Sequence, residues 1–344
     1  MSRRPTIHDL AAAAGVSTAT VDRVLNRRSK VREATAQRVL IAAEDIGYHA
    51  AGLLRKRVQE AQPVKHITVL LQRSNDEFYR ALGETIELAC SRQTNFQFET
   101  SIVFMEEVSP NHIVDCLNRA GKQADGVALV ALDDLLINQE VEALLSNKVP
   151  VISLLSPLSS AKITSHIGLD GRKVGRTGAW AINRLTAGRS GKIGIMLGSH
   201  RYLNQEIAEI SFISYFRDFK HQFEILDART NLDDVALAKQ ATLELLHDYP
   251  DLVAIYSAGG GVDGIIDALK ETGRHKDIVL ICNELTTKTR KALIDGTVDL
   301  VLATPIQKIA SELAETFAKA FDSKRSSSLT HIRLPAEIYV AEGL

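Results

Sequence analysis

Cysteine is scarce in this chain of 344 residues: Cys90, Cys116 and Cys282 are odd in number and far apart. Their apolar settings predict buried reduced thiols instead of a disulfide framework or a metal centre. The ten histidines show no paired ligand spacing, so no metal and no cofactor are expected. No apolar stretch reaches the roughly 20 residues needed to span a bilayer. The amino terminus, MSRRPTIHDL, has no apolar run behind its basic residues, which excludes a secretory signal and predicts a cytoplasmic protein with no membrane partner. No Ser-His-Asp, Cys-His or paired-carboxylate set stands out, and no enzymatic turnover is expected. A dominant charge sign is missing too, since the net charge is only -1.

That balance conceals an asymmetry. Residues 1 to 60 hold eleven Lys and Arg against six acidic residues, a net of +5, which leaves -6 for the rest. A basic head on an acidic body is what a protein needs when only one end meets phosphates. With 45% hydrophobic and 24% charged residues, the chain is ordinary for a globular protein and long enough for more than one domain.

The head, residues 6 to 48, reads TIHDLAAAAGVSTATVDRVLNRRSKVREATAQRVLIAAEDIGY and predicts three short helices. Thr6 with Asp9 three residues on forms a capping box. Gly15 tolerates the left-handed turn, Val16 plugs the angle between two helices, and Ser17 caps the second. That is helix-turn-helix spacing. On the second helix Val21, Val24 and Leu25 recur inward, leaving Thr18, Ala19, Thr20, Asp22, Arg23 and Asn26 outside, where a major groove could meet them. A plain helical subdomain without a ligand would show the same periodicity, but not this Gly-Val-Ser turn.

These residues resemble the lac repressor and gal repressor family of bacterial transcription regulators, and the match runs the full length. By that resemblance Thr18, Ala19 and Arg23 fall on base-reading positions, while Thr6, Ser17, Thr20 and Asn26 contact phosphates or position the helix. Arg23 can pair with guanine O6 and N7, and Ala19 offers a methyl to thymine. Asp22 departs from the small hydroxyl residue usual there. It either accepts from cytosine N4 or pairs with Arg23 or a neighbouring arginine.

The resemblance makes residues 50 to 64 a hinge that wedges a leucine into the minor groove. Here Ala50 and Ala51 replace the usual Pro-Asn start, Gly52 disfavours helix by roughly 1 kcal/mol, and Arg57 stands where the wedge leucine is usual. Leu53 and Leu54 remain as wedge residues. The alternative is a basic linker that touches phosphates through Arg55, Lys56 and Arg57.

From residue 65 on, short apolar runs (ITVLL, FQFETSIV, GVALVAL, PVISLL, then KIGIML, FEILDA, LVAIYSA, DIVLICNE) alternate with amphipathic stretches. This pattern predicts an α/β fold with two doubly wound parallel sheets. The resemblance implies a two-lobed, periplasmic-binding-protein-like body. The expected domains are a head over 1–49, a linker over 50–64 and an effector and dimerisation domain over 65–344. Its first lobe takes about 65–165 and 297–322, its second about 166–296 and 323–344.

An effector would sit between the lobes at the carboxyl ends of the strands. Those ends offer Asn75, Asp76, Phe78, Tyr79, Asp133, Asp134 and Ser156 in the first lobe, and Tyr202, Asn204, Glu206, Ser257, Gly260, Asn283 and Glu284 in the second. Aromatic faces beside amides and carboxylates suit a sugar or polyol. Each residue alone is better explained as a cap or solvated loop residue, and only their convergence at strand ends makes a site. The family's effector-gripping arginine aligns with Ala208, which puts a standard sugar grip in doubt.

Gly259 to Gly264, GGGVDG, also fits G-x-G-x-x-G between strand and helix, with Glu284 ending the next strand. An NAD(H)-sensing redox repressor is therefore the alternative, although the motif does not open its sheet. The main expectation is a homodimeric repressor of a catabolic or transport operon, binding double-stranded operator DNA and controlled by a small polar effector.

Overall fold

The computed structural model describes residues 4–26, 31–59, 62–160, 165–186, 188–218, 222–322 and 330–344. Among the described residues the head has four helices: α1 (Ile7–Ala14), α2 (Thr18–Asn26), α3 (Glu33–Asp45) and α4 (Ala51–Gln59). The Thr6 backbone N–H donates to Asp9 Oδ2 at 2.7 Å, and the Asp9 N–H donates to Thr6 Oγ1 at 3.4 Å. Gly15 ends α1 at φ 62°, the left-handed turn that lets α2 leave at an angle. Leu10, Val21, Val39, Leu40 and Ala43 close the core between the first three helices.

Helix α4 corrects the expected linker. Leu54 and Val58, one turn apart, are fully buried in the head core. Burying such side chains yields about 1.5–3 kcal/mol each, more than the roughly 1 kcal/mol that Gly52 costs a helix. The head therefore extends to Gln59, past the boundary expected at residue 49.

The body continues with β1 (Val64–Gln72), α5 (Glu77–Ser91), β2 (Gln97–Met105), α6 (Pro110–Gln123), β3 (Gly126–Leu129), α7 (Leu135–Ser146), β4 (Val151–Leu154) and β5 (Ser165–Leu169). Next come α8 (Gly171–Leu185), β6 (Gly191–Leu197), α9 (Leu203–Asp218), β7 (Phe223–Ile225), β8 (Arg229–Thr230), α10 (Val235–Asp248), β9 (Leu252–Ser257), α11 (Val262–Glu271), β10 (Val279–Asn283), α12 (Thr287–Ile294) and β11 (Leu300–Ala303). The last elements are α13 (Ile306–Phe321), β12 (Thr330–Leu334) and β13 (Glu337–Tyr339).

Two sheets result. The first has the order β12-β5-β4-β3-β1-β2 and is parallel throughout. The second has the order β13-β11-β10-β9-β6-β7, with β8 also pairing β6, and only β13 is antiparallel. Their central strands are buried on both faces, which is why these read as continuous apolar runs. Helix α13 packs Ile309, Leu313 and Phe317 against Val69, Leu71 and Ile86 of the first lobe.

The strand pairing moves the expected lobe boundaries. Strand β5 pairs with β4 and so belongs to the first lobe, whereas β11 pairs with β10 in the second. Strand β12 returns to the first lobe beside β5, and β13 alone ends in the second. The chain thus crosses between lobes near Asp170, near Thr304 and near Pro335. An apolar run of four or five residues says that a strand exists, but not which edge it joins.

Candidate functional site

In each sheet the order reverses beside a central strand: β1 lies between β2 and β3, and β6 between β7 and β9. The carboxyl ends at these reversals leave a crevice, because the following helices depart to opposite faces. Here the two crevices face each other and enclose a cavity of about 690 Å³. That volume is within the range of small-molecule sites.

From the first lobe, β1 delivers Arg73 and Asn75, and Asp76 caps α5 through Oδ1, which accepts from the Phe78 and Tyr79 N–H groups at 2.8 and 3.4 Å. The cap fixes the first turn, so Phe78 and Tyr79 line the cleft. Ser156 lies opposite, its Oγ accepting from the Asn204 N–H of the second lobe at 3.3 Å. From the second lobe come Tyr202, Asn204, Gly260 and Glu284. Asn75, Phe78, Tyr79, Ser156, Tyr202, Asn204, Gly260 and Glu284 are thus brought together.

Four expected residues are not; one of them, Asp134, caps α7 and pairs with Arg201. Asp133 accepts from Asn138 Nδ2 at 2.9 Å and the Ser159 N–H at 2.8 Å, so its carboxylate serves the loop. Ser257 is fully buried, with its hydroxyl on the Gly259 carbonyl. Glu206 lies beside Glu209 and outside the cleft lining. Its neighbour Gln205 reaches the cleft instead and accepts from the Gly198 N–H at 2.8 Å. Ala208 is buried, its carbonyl packed on Gly175 of α8, so no side chain at that position could grip a ligand in the cleft.

Other residues went unseen in the sequence. Arg73 crosses the cleft and donates to the carbonyls of Asp233 at 2.6 Å and Leu232 at 3.0 Å. Gln72 Nε2 donates to Tyr202 Oη at 2.5 Å, and Glu77 accepts from the Thr287 N–H and hydroxyl. Arg73, Asp233 and Thr304 all sit just past short apolar runs, and only their position at strand ends could have found them.

Backbone strain gathers here. Arg73, Leu155, Asp233 and Glu284 line the cleft with positive φ, four of the six non-glycine residues so placed among the described residues. Each costs of order 1–3 kcal/mol, a pattern typical of binding sites. Burial pushes the Glu284 carboxyl up to about 7, although it accepts from the Thr304 N–H at 3.0 Å and hydroxyl at 2.6 Å. Burial also raises Asp233, against the Gly260 N–H that donates to it at 2.5 Å.

That last bond corrects the dinucleotide alternative. The N–H that would cradle a pyrophosphate already faces a carboxylate. Gly264 has a packing role: a Cβ there would lie 2.0 Å from the Val235 carbonyl, so α10 and α11 approach only over a glycine. The glycine loop is a cleft wall and a helix contact.

On the head, Ser17, Ala19, Arg23 and Asn26 are exposed, while Thr18 and Thr20 are half-buried. Ser17 Oγ accepts from the Thr20 N–H at 3.2 Å and lies 2.9 Å from its hydroxyl, so the two make one cap. Asp22 Oδ1 accepts from Asn26 Nδ2 at 2.6 Å, a partner not expected from sequence. Leu53 is 47% exposed, whereas Leu54 is fully buried and cannot act as a wedge from this packing. Arg55 is tied to Glu44 of α3 at 2.5 Å. No helix among the described residues is long and apolar enough to cross a membrane.

Comparison with known proteins agrees with both halves. Residues 6–50 match the model of bacterial regulatory proteins of the lacI family, and residues 67–325 match that of the periplasmic binding protein domain. Catabolite control protein A of Priestia megaterium is 29% identical over 164 residues, 46% of each chain. The HTH-type transcriptional repressor PurR of Photobacterium profundum is 35% identical over 85 residues, 25% of each. The alignments span less than half the length of these curated relatives. Among solved structures, a glucose-galactose binding protein from Geobacillus stearothermophilus superposes with a TM-score of 0.73 at 14% identity, covering 82% of this chain and 99% of that one. A solute-binding protein from Burkholderia graminis in complex with D-arabinose gives 0.74 at 14% identity, covering 82% and 96%. At such identities the likeness shows the fold. The chain belongs to the family of proteins with a periplasmic binding protein domain, which spans most of its length, and it carries ahead of that domain a helix-turn-helix head matched by the model of lacI-family bacterial regulatory proteins.

Proposed function

We propose that this protein is a ligand-responsive transcriptional repressor that acts as a homodimer. Two heads would read the two half-sites of a near-palindromic operator, each through Thr18, Ala19 and Arg23 of α2, with Ser17 and Asn26 toward phosphates. A small polyhydroxylated effector would bind in the cleft and set the relative position of the lobes, and hence of the heads. The protein performs no chemistry on the effector.

One observation carries the reading: the cavity is lined by strand ends of both lobes. A ligand touching both lobes binds open and closed forms unequally, which is the requirement for shifting their equilibrium. The names of the sugar-binding structural neighbours support a sugar or polyol as effector. A thermal-shift screen of sugars, sugar alcohols and nucleosides tests this, because a ligand of the folded state raises apparent stability. A hit that also alters binding to a genomic operator fragment supports the proposal. Failure of every polyhydroxylated ligand, with a saturable NADH response instead, would overturn it.

A further inference from the structure

The cleft is short of positive charge. Its lining holds seven carboxylates against two arginines, and both guanidinium groups are occupied by backbone carbonyls. Arg73 donates to Leu232 and Asp233, and Arg80 to Ser74 at 2.9 Å. Several of the acids have structural duties: Glu77 holds Thr287, and Asp234 caps α10.

The remaining acceptors converge from both lobes. Asp76 uses only Oδ1 in its cap, which leaves Oδ2 to the cleft. Asp263, in the first turn of α11, makes no hydrogen bond or ion pair with another described residue; burial raises its carboxyl, the nearby Lys288 ammonium offsets part of that, and the like-charged Asp267, Asp76 and Glu77 raise it further. Asn283 donates through Nδ2 to the Ala258 carbonyl at 2.9 Å, while its Oδ1 is buried without a donor among the described residues. A ligand group rich in donors and carrying positive charge matches these acceptors, and an ammonium group has three N–H donors and no acceptor. Phe78, on the same wall, offers a ring face that also favours a cation. The side-chain amides of Asn75 and Asn204 make no hydrogen bond with another described residue and can both donate to and accept from hydroxyls.

We propose that the effector is an aminated sugar or aminated polyol, its protonated amine held between Asp76 and Asp263 beside Asn283 and its hydroxyls on Asn75 and Asn204. This deepens, and rests on, the reading of the cleft as the effector site. Because Asp76 and Asp263 belong to different lobes, the amine replaces their repulsion with two attractions and closes the cleft. Sugar phosphates and uronates are excluded by the same acids.

The test is calorimetric titration of the full chain with matched sets: glucose, glucosamine and glucuronate, and the galactose equivalents, at a pH where the amine is protonated. The amine of at least one set should bind tenfold or more tighter than its neutral parent and weaken with added salt, and the uronates should not bind. Asp263→Asn should collapse that amine-to-neutral ratio toward one, and thermal unfolding of the variant confirms that it is folded. Neutral sugars binding as tightly as amines would overturn the inference and leave the sugar-responsive repressor standing. Amine selectivity unmoved by Asp263→Asn would overturn the assigned position. No binding by any member would overturn the inference and leave the repressor reading to the wider thermal-shift screen.

Discussion

Leu53 and Leu54 are adjacent leucines with opposite fates, and the contrast shows what the sequence could not supply. Both satisfied the expectation of an apolar wedge, yet Leu54 is buried in the head and Leu53 is exposed. The register of α4 against α3, which decides between them, depends on a tertiary contact. Leu54→Ala should destabilise the head by about 2–5 kcal/mol, seen as faster hydrogen exchange in α1 to α3. Exchange unchanged from wild type would mean that α4 does not belong to the head core. Arg23, exposed on α2, makes no ion pair with another described residue. Arg23→Ala should cost roughly 1–3 kcal/mol at one operator position, measured by titration against single-base variants. An equal loss on all sequences would reduce it to a phosphate contact.

Glu284 gives a pH signature. Its carboxyl titrates near 7 in the fold, against the ordinary 4.5, because burial disfavours the charged form. Between those values the folded state binds the proton more tightly than the unfolded chain. The stabilisation is therefore full below about 4.5 and lost as pH rises through 7, on the order of 3 kcal/mol in all. Unfolding free energies across this window should fall less steeply in Glu284→Gln. Identical slopes would contradict the burial assigned to this group.

At the scale of elements, the strand and helix alternation was plainly legible, because buried parallel strands and amphipathic helices differ in period. Strand partners were not. Strands β5, β11 and β12 went to the wrong lobes because short segments such as SHIGL and LVLA do not name their partners, and only the sheet edge they meet distinguishes them. The glycine motif was ambiguous for a related reason: glycines that admit a phosphate and glycines that admit a neighbouring helix look the same in sequence. Gly264→Ala separates the two. Helix propensity alone favours alanine by about 1 kcal/mol, but the added Cβ would press on the Val235 carbonyl of α10. Net destabilisation in thermal unfolding is expected, and a stabilised variant would show that α10 and α11 do not approach so closely.

For the whole molecule, the cleft was legible as a place and only partly as a set of residues. Strand ends marked where it lies, but the residues that reach across it, Arg73 above all, emerge only when two lobes are set face to face. Arg73 ties the lobes before any ligand arrives. Arg73→Ala should shift the population toward an open form, read as a larger radius of gyration in solution scattering. An unchanged radius would mean that this bridge does not hold the lobes together.

The central claim is that occupancy of the cleft is coupled to operator binding by the head. Its direct measurement is fluorescence anisotropy of labelled operator DNA titrated with the full chain at fixed salt, with and without a saturating cleft ligand. The account predicts that the ligand changes operator affinity at least fivefold, the usual lower range of allosteric coupling. It also predicts that the change is lost in Glu284→Gln. A ligand shown by calorimetry to fill the cleft while operator affinity stays within twofold would contradict it.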